Sequence, residues 1–432
     1  ARSDYCYSWD RGTPAGVTHI SQPNALLRFH SIRPFAPTLS GRQTQLSISH
    51  THRRIATRME PSRVKYNFVE EVERLDYYVP GGYHPVAIGD ELCTGRYVIT
   101  HKLGFGRSAT TWLAEDRKQG RLVALKLSTA EAAGRTHEIQ ILSQLDRAKS
   151  GLPGKAIVQN LLNSFKFSGP NGTHQCLVTD AARISIHEAK DAAYHRLLHL
   201  PAARAIASLL ILGLQFIHSQ GIVHGDLHLA NILLHLSLDM QDMTLEQLHA
   251  RTGEPAKMQI VREDGAPLDP GVPSEVIVSV WLGLSKSRFA ESLVEPLSFP
   301  GDIWTLACTI WDVFGSGPPF EAFPVTLNEV TIEHVEMLGK LPDRWWSKWE
   351  ERNNWFDEDG RKDVKETLRQ WERKSFDAFS TEEENAFCDM IKSMLVLEPS
   401  KRATIEDVVG CEWMQRWGLP EVQRMWATPK SS

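Results

Sequence analysis

The stretch HGDLHLAN, residues 224–231, sets a carboxylate, Asp226, five residues ahead of a carboxamide, Asn231, between two apolar runs, GIV and ILL. A carboxylate held there can accept the proton of an incoming hydroxyl, and an amide oxygen close by can ligate a metal ion. Phosphoryl transfer asks for both, because its demands are phosphates held still, charge neutralised and a base aimed at the acceptor. Three other pieces supply matching parts. In LGFGRSATTW, Gly104 and Gly106 carry no side chain to keep backbone amides from phosphates. In VALK, Lys126 falls on a strand within reach of α- and β-phosphates, and Glu138 further on can hold it as an ion pair. Singly these have plainer readings: Gly-x-Gly is a hairpin turn, a strand lysine a solvated edge, and Glu138 one of 53 acidic residues. Their order and spacing together do not.

Positioning such groups needs a frame, and the pattern supplies one. GRYVITHKLGFGRSATTWLAED and RLVALKLS read as three strands, β-branched and aromatic runs broken by glycine and a KQG turn. RTHEIQILSQL reads as a helix with Ile139, Leu142 and Leu145 on one face, and QCLVTD as a further strand. Beyond it Ile206, Leu209, Leu210, Gly213, Phe216 and Ile217 form a helical stripe ending at HSQG. The architecture expected is α+β and bilobal, a small β-rich lobe over residues 64–182 and a larger helical lobe over 183–424, then a tail, 425–432. Residues 235–280, polar and rich in Pro and Gly, read as an insert. Trp345, Trp346, Trp349, Trp355 and Trp371, clustered among charged residues, read as packing ahead of a binding platform.

Residues 1–63 stand apart. From Arg11 to Met59 there is no acidic residue and no lysine but seven arginines, which suits either a mitochondrial-type targeting segment or a disordered leader, or sequence upstream of a start at Met59. With 432 residues and 42% hydrophobic content the chain can bury a sizeable core, and a net charge of −5 gives no basis for nucleic acid as a partner. Six scattered cysteines, without a CxxC pair, point to neither a disulfide framework nor a zinc site, and so to a reducing compartment. No apolar run is read as approaching the roughly 20 residues that cross a bilayer. The expectations are therefore no membrane, a monomer, and the cytoplasm or nucleus, with mitochondria if the leader is an address.

On these motifs the chain resembles a eukaryotic-type protein kinase, and within that family the fungal kinases related to SR-protein kinases. PGGYHPVAIGDELCTGRYVITHKLGFGRSATTWLAED is similar to that group's entry into the small lobe, and LSFPGDIWTLACTIWDVFG and LEPSKRATIEDVVGCEWM to helices of its large lobe, so the likeness runs from about Val64 to Trp417. The resemblance implies a serine/threonine kinase using ATP and Mg2+ on protein substrates, Arg/Ser-rich in this group. It makes Lys126 the phosphate-pairing lysine, Glu138 its helix partner, Asp226 the catalytic base and Asn231 a magnesium ligand. The nucleotide would lie against Leu103, Gly104, Phe105, Gly106, Arg107, Ser108, Ala109, Thr111 and Ala124, with Thr179 as gatekeeper and Asp180 to Ala182 as hinge. Asp302 would brace the catalytic loop from beneath, and Arg402 would pair with the glutamate of an Ala-Pro-Glu motif.

Departures from the family pattern are equally specific. Ala109 stands for the third loop glycine, Thr111 for a valine, and Gly225 for the arginine of His-Arg-Asp, which removes the usual receiver of an activation-loop phosphate. After Asn231 no strand–Asp–x–Gly follows; WLG at 281–283 puts tryptophan at the metal ligand, and Glu291 or Glu295 are the substitutes left for Arg402. The pattern reads as one contiguous excision joined between Trp281 and Glu295, with magnesium binding impaired. Two alternatives stay open: a pseudokinase that binds or scaffolds, and a small-molecule phosphotransferase with a similar HGDLHxxN loop.

Overall fold

The period-two runs and glycine turns of residues 97–128 become three antiparallel strands in the computed structural model, which describes residues 27–29, 59–135, 137–235, 243, 245–279, 298–320, 326–362 and 379–427. Along the chain, β1 is Leu27–Phe29, β2 Glu91–Leu92, β3 Tyr97–Gly106, β4 Ala109–Asp116, β5 Arg121–Ser128, β6 Leu161–Gly169 and β7 Gly172–Asp180. The last six form one sheet in the order β2-β3-β4-β5-β7-β6. Tyr97, Ile99, Trp112, Leu125, Leu127, Cys176 and Val178 pack together on one face, as half-buried strands require. Helix α1, Ala130–Ala133, leads to α2, Glu138–Arg147, which buries Ile141, Leu142 and Leu145, with Ile139 only partly covered. The buried stripe is thus turned slightly from the expected one, because the helix meets both the sheet and the large lobe.

Strand β8, Ala182–Ser185, leaves the hinge, and the Ser185–Glu188 capping box starts α3, Ile186–Asp191. Helix α4, Leu200–Ser219, is apolar almost all round because other elements surround it: α6, Phe299–Phe314, α10, Ile405–Gly410, and α11, Leu419–Ala427. It is long and apolar enough to span a bilayer, which corrects the sequence reading that no run approached that length; its apolar faces are spent on the core. Phe314, Phe387 and Trp413 interlock edge-to-face, with ring centroids 4.9 to 5.8 Å apart. Helix α11 runs through to Ala427, past the expected lobe boundary at 424.

Three further regions differ from what the pattern suggested. Strand β1, inside the leader, pairs antiparallel with β9, Ile232–His235, as the outer strand of a sheet ordered β1-β9-β8; the rest of 1–58 lies outside the described residues. The insert is no loose excursion from the large lobe, because part of it folds onto the small one. Its helix α5, Leu245–Thr252, buries Leu248 against Leu113, Leu122 and Ala181, and its hairpin, β10 Lys257–Gln259 with β11 Glu275–Ile277, packs Ile260, Val272 and Val276 against Leu75, Tyr78 and Tyr83. The tryptophans behave as packing: Trp346 is buried with Phe356 beside Ile332 and Val335 on α7, Leu327–Leu338, whereas Trp355 is 38% exposed and Trp371 lies outside the described residues.

Candidate active site

The site residues arrive from both lobes, and strand register does much of the work. Gly104 on β3 pairs with Thr111 on β4, which pairs with Lys126 on β5, while Ala124 lies between Leu113 and the buried Thr179 on β7. Leu103, Phe105 and Gly106 continue β3, Arg107 and Ser108 make the turn, and Ala109 opens β4. A Cβ added to Gly104 or Gly106 would meet no heavy atom within 4 Å. Folding alone would therefore tolerate a side chain at either position, and the open space is what a phosphate chain needs.

Lys126 is held rather than free. Its ammonium donates to both carboxylate oxygens of Glu138, the first residue of α2, at 2.8 and 2.9 Å, with both side chains largely covered. Such a pair fixes a cation at the mouth of the glycine turn. At the hinge, Asp180 accepts from Arg121 at 3.1 Å, and Ala181 packs with Leu103 beneath Leu248. Ala182 begins the descent into the large lobe.

Beneath the cleft the loop bearing Asp226 is organised by one carboxylate. Asp302, buried in the first turn of α6, accepts from the His224 amide at 2.7 Å, the Gly225 amide at 2.8 Å and His218 Nε2 at 2.9 Å. Full burial lowers the pKa of His224 to about 4, so its neutral ring accepts the Asp226 amide at Nδ1, 3.3 Å away. Asn231 Nδ2 donates to the Asp226 carbonyl at 2.8 Å, which leaves the carboxamide oxygen for a metal ion. The residues present fit a nucleotide: open glycines, an anchored lysine and a small-residue strand pair. For magnesium they offer one oxygen ligand from this loop, and among the described residues no group of three or more His, Cys, Asp or Glu is arranged around a common metal position.

The expected site residues from Leu103 to Ala182 lie on the sheet, α2 and the hinge, and Asp226 and Asn231 on the loop pinned by Asp302. Among the described residues Arg402 donates to the carbonyls of Val396, Pro300 and Leu397 at 2.6, 3.1 and 3.2 Å and lies over Trp304, 4.8 Å from the ring centre. Trp281, Gly283, Glu291 and Glu295 fall outside the described residues. Two neighbours escaped the sequence reading. His228 Nε2 stands 3.9 Å from Asp226 Oδ1, a titratable ring that GDLH shows two residues past the base. Tyr83, whose hydroxyl reaches the glycine turn, lies in the PGGYHP segment that carried the family resemblance but was given no role there.

Comparison with known proteins finds protein kinases. Residues 97–247 match the protein kinase domain family. Protein kinase dsk1 of Schizosaccharomyces pombe is 37% identical over 171 residues, 39% of this chain and 31% of that protein. Serine/threonine-protein kinase SRPK of Physarum polycephalum is 26% identical over 393 residues, 80% of this chain and 92% of that protein. SRSF protein kinase 3 of Homo sapiens is 33% identical over 171 residues, 38% of this chain and 30% of that protein. The chain thus spans about a third of the first and third of these relatives and nearly all of the second.

Proposed function

The chain belongs to the eukaryotic protein kinases, of the SR-protein-kinase type, and on that premise we propose that it transfers the γ-phosphoryl group of ATP to serine or threonine hydroxyls of Arg/Ser-rich proteins. The observation that carries the reading is the Lys126–Glu138 pair, set by strand register beside Gly104 and Thr111. Lys126 holds the α- and β-phosphates, and the turn from Gly104 to Ala109 covers the phosphate chain with backbone amides. Leu103, Ala124 and the hinge from Asp180 to Ala182 take the base. Asp226, on a loop pinned by Asp302, accepts the proton as the substrate hydroxyl attacks phosphorus and the bond to ADP breaks. Bound magnesium supplies charge neutralisation of the phosphates, and Asn231 is the residue that would hold it. With one loop ligand in place, magnesium coupling is weakened. The pseudokinase alternative has no observation of its own in its favour, and the named relatives are protein kinases rather than small-molecule phosphotransferases.

The test is transfer to an Arg/Ser-repeat peptide, with nucleotide affinity measured with and without magnesium. The chain should phosphorylate the peptide, and Asp226→Asn should lower kcat on the order of a hundredfold or more while ATP affinity stays within about twofold. Magnesium should raise affinity less than about tenfold. Absence of transfer by the unaltered chain would overturn the reading.

A further inference from the structure

The turn that would cover the phosphates is not held by the sheet alone. The Tyr83 hydroxyl donates to the Gly106 carbonyl at 2.8 Å, with the Arg107 carbonyl at 3.4 Å. Burial raises the phenol's pKa, so the group keeps its proton and acts as a donor. A trans peptide sets its N–H opposite its carbonyl. Anchoring the Gly106 carbonyl therefore fixes the direction of the Arg107 amide, one of the donors the turn can offer to an anion.

Tyr83 is itself gripped from two sides. Its ring packs with Leu75 and Tyr78 from the segment before the sheet and with Ile260, Val272 and Val276 from the insert. Its carbonyl accepts from Asn171 Nδ2 at 2.7 Å, and the same amide donates to Gly271 of the insert at 2.8 Å. A second tie runs through Lys102 on β3, fully buried, which is paired with Glu73 and donates to the Ile277 carbonyl at 3.1 Å.

We propose that Tyr83 is a positioning residue for the phosphate-covering turn, and that residues 257–279 act on nucleotide binding through it. The inference rests on the kinase reading of the site and adds to it a device outside the residues given roles there. Because the hydroxyl's hydrogen bonds among the described residues go to the turn, its loss acts on the phosphate part of the ligand and leaves the base and ribose alone.

The experiment compares ATP and adenosine binding to the full chain by calorimetry, without metal, for the unaltered protein and Tyr83→Phe. ATP affinity should fall about three- to tenfold, the scale of one neutral hydrogen bond, while adenosine affinity stays within about twofold. Val276→Ala, which loosens the insert against the ring, should shift the ATP-to-adenosine ratio in the same direction by less. Equal weakening of both ligands would make Tyr83 a support of the lobe and overturn the proposal, as would no change in either. An unaltered chain that binds neither ligand would sink the nucleotide site itself; one that binds adenosine as tightly as ATP would sink only the role of the turn.

Discussion

Gly225, one residue ahead of Asp226, has φ of 73° and so lies in the left-handed region. The amides of His224 and Gly225 donate to separate oxygens of Asp302, and the left-handed turn at Gly225 sets the direction in which the chain leaves that anchor into Asp226. An alanine there would strain the backbone by about 1–2 kcal/mol. Gly225→Ala should accordingly lower the melting temperature and reduce kcat more than it changes KM for ATP, because the loop and not the upper wall is disturbed. A variant with unchanged melting temperature would show that the loop relaxes without strain. The Lys126–Glu138 pair was legible in the sequence because residue type and order carry its chemistry. The conformation of Gly225 was not, since a glycine replacing an expected arginine reads only as a lost phosphate receiver. The role of Tyr83, though the residue sits in the PGGYHP stretch of the family likeness, was illegible for a related reason: its partner is a backbone carbonyl, which leaves no mark on side-chain pattern.

Between elements, the joint of β3 with the preceding segment and the insert is a buried charge network. Lys102 is 0% exposed and Glu73 1%, with Tyr78 donating to Glu73 and Lys102 lying 5.4 Å from the centre of the Trp112 ring. Burial lowers the pKa of Lys102, and Glu73 opposes that shift. Truncating one member strands the other. Lys102→Met should cost about 3–5 kcal/mol in urea unfolding, and Lys102→Met with Glu73→Leu should recover much of it. A single variant costing under about 1 kcal/mol would mean that Glu73 escapes to water. The strands, α2 and α4 were legible as periodic runs, whereas residues 235–280 read only as an insert, because Leu248, Ile260, Val272 and Val276 are separated by polar, Pro- and Gly-bearing stretches without a helical or strand period. Nothing in the sequence pattern singles out Lys102, and only the fold buries it.

Across the described residues, four covered histidines, three of them buried and His84 partly so, tie stability to pH. His84, His101, His224 and His334 each have a pKa lowered from 6.5 to about 4 by desolvation. In the unfolded chain they bind protons below about pH 6.5, and in the native state only near pH 4, so the unfolded state holds more protons in that window and stability rises with pH across it. Each contributes up to about 1.4 kcal/mol per pH unit. Urea midpoints should therefore be steady above about pH 7 and fall steeply between pH 6.5 and 4; a flat profile over that range would mean that the rings are hydrated in the native state. The bilobal order was legible from where strand period gives way to helix period, but contacts between distant segments were not, and β1 is the clearest case. That strand comes from a stretch whose composition suited a removable address, yet it pairs with Ile232–Leu234, just past the loop that carries the base. A protease trimming the chain to Met59 would turn β9 from a central into an outer strand with open backbone groups, a place where another chain's strand could add. If maturation does cut the chain, the released piece has reason to stay bound, and the cut would be visible as a nick in a retained complex rather than as a lost leader.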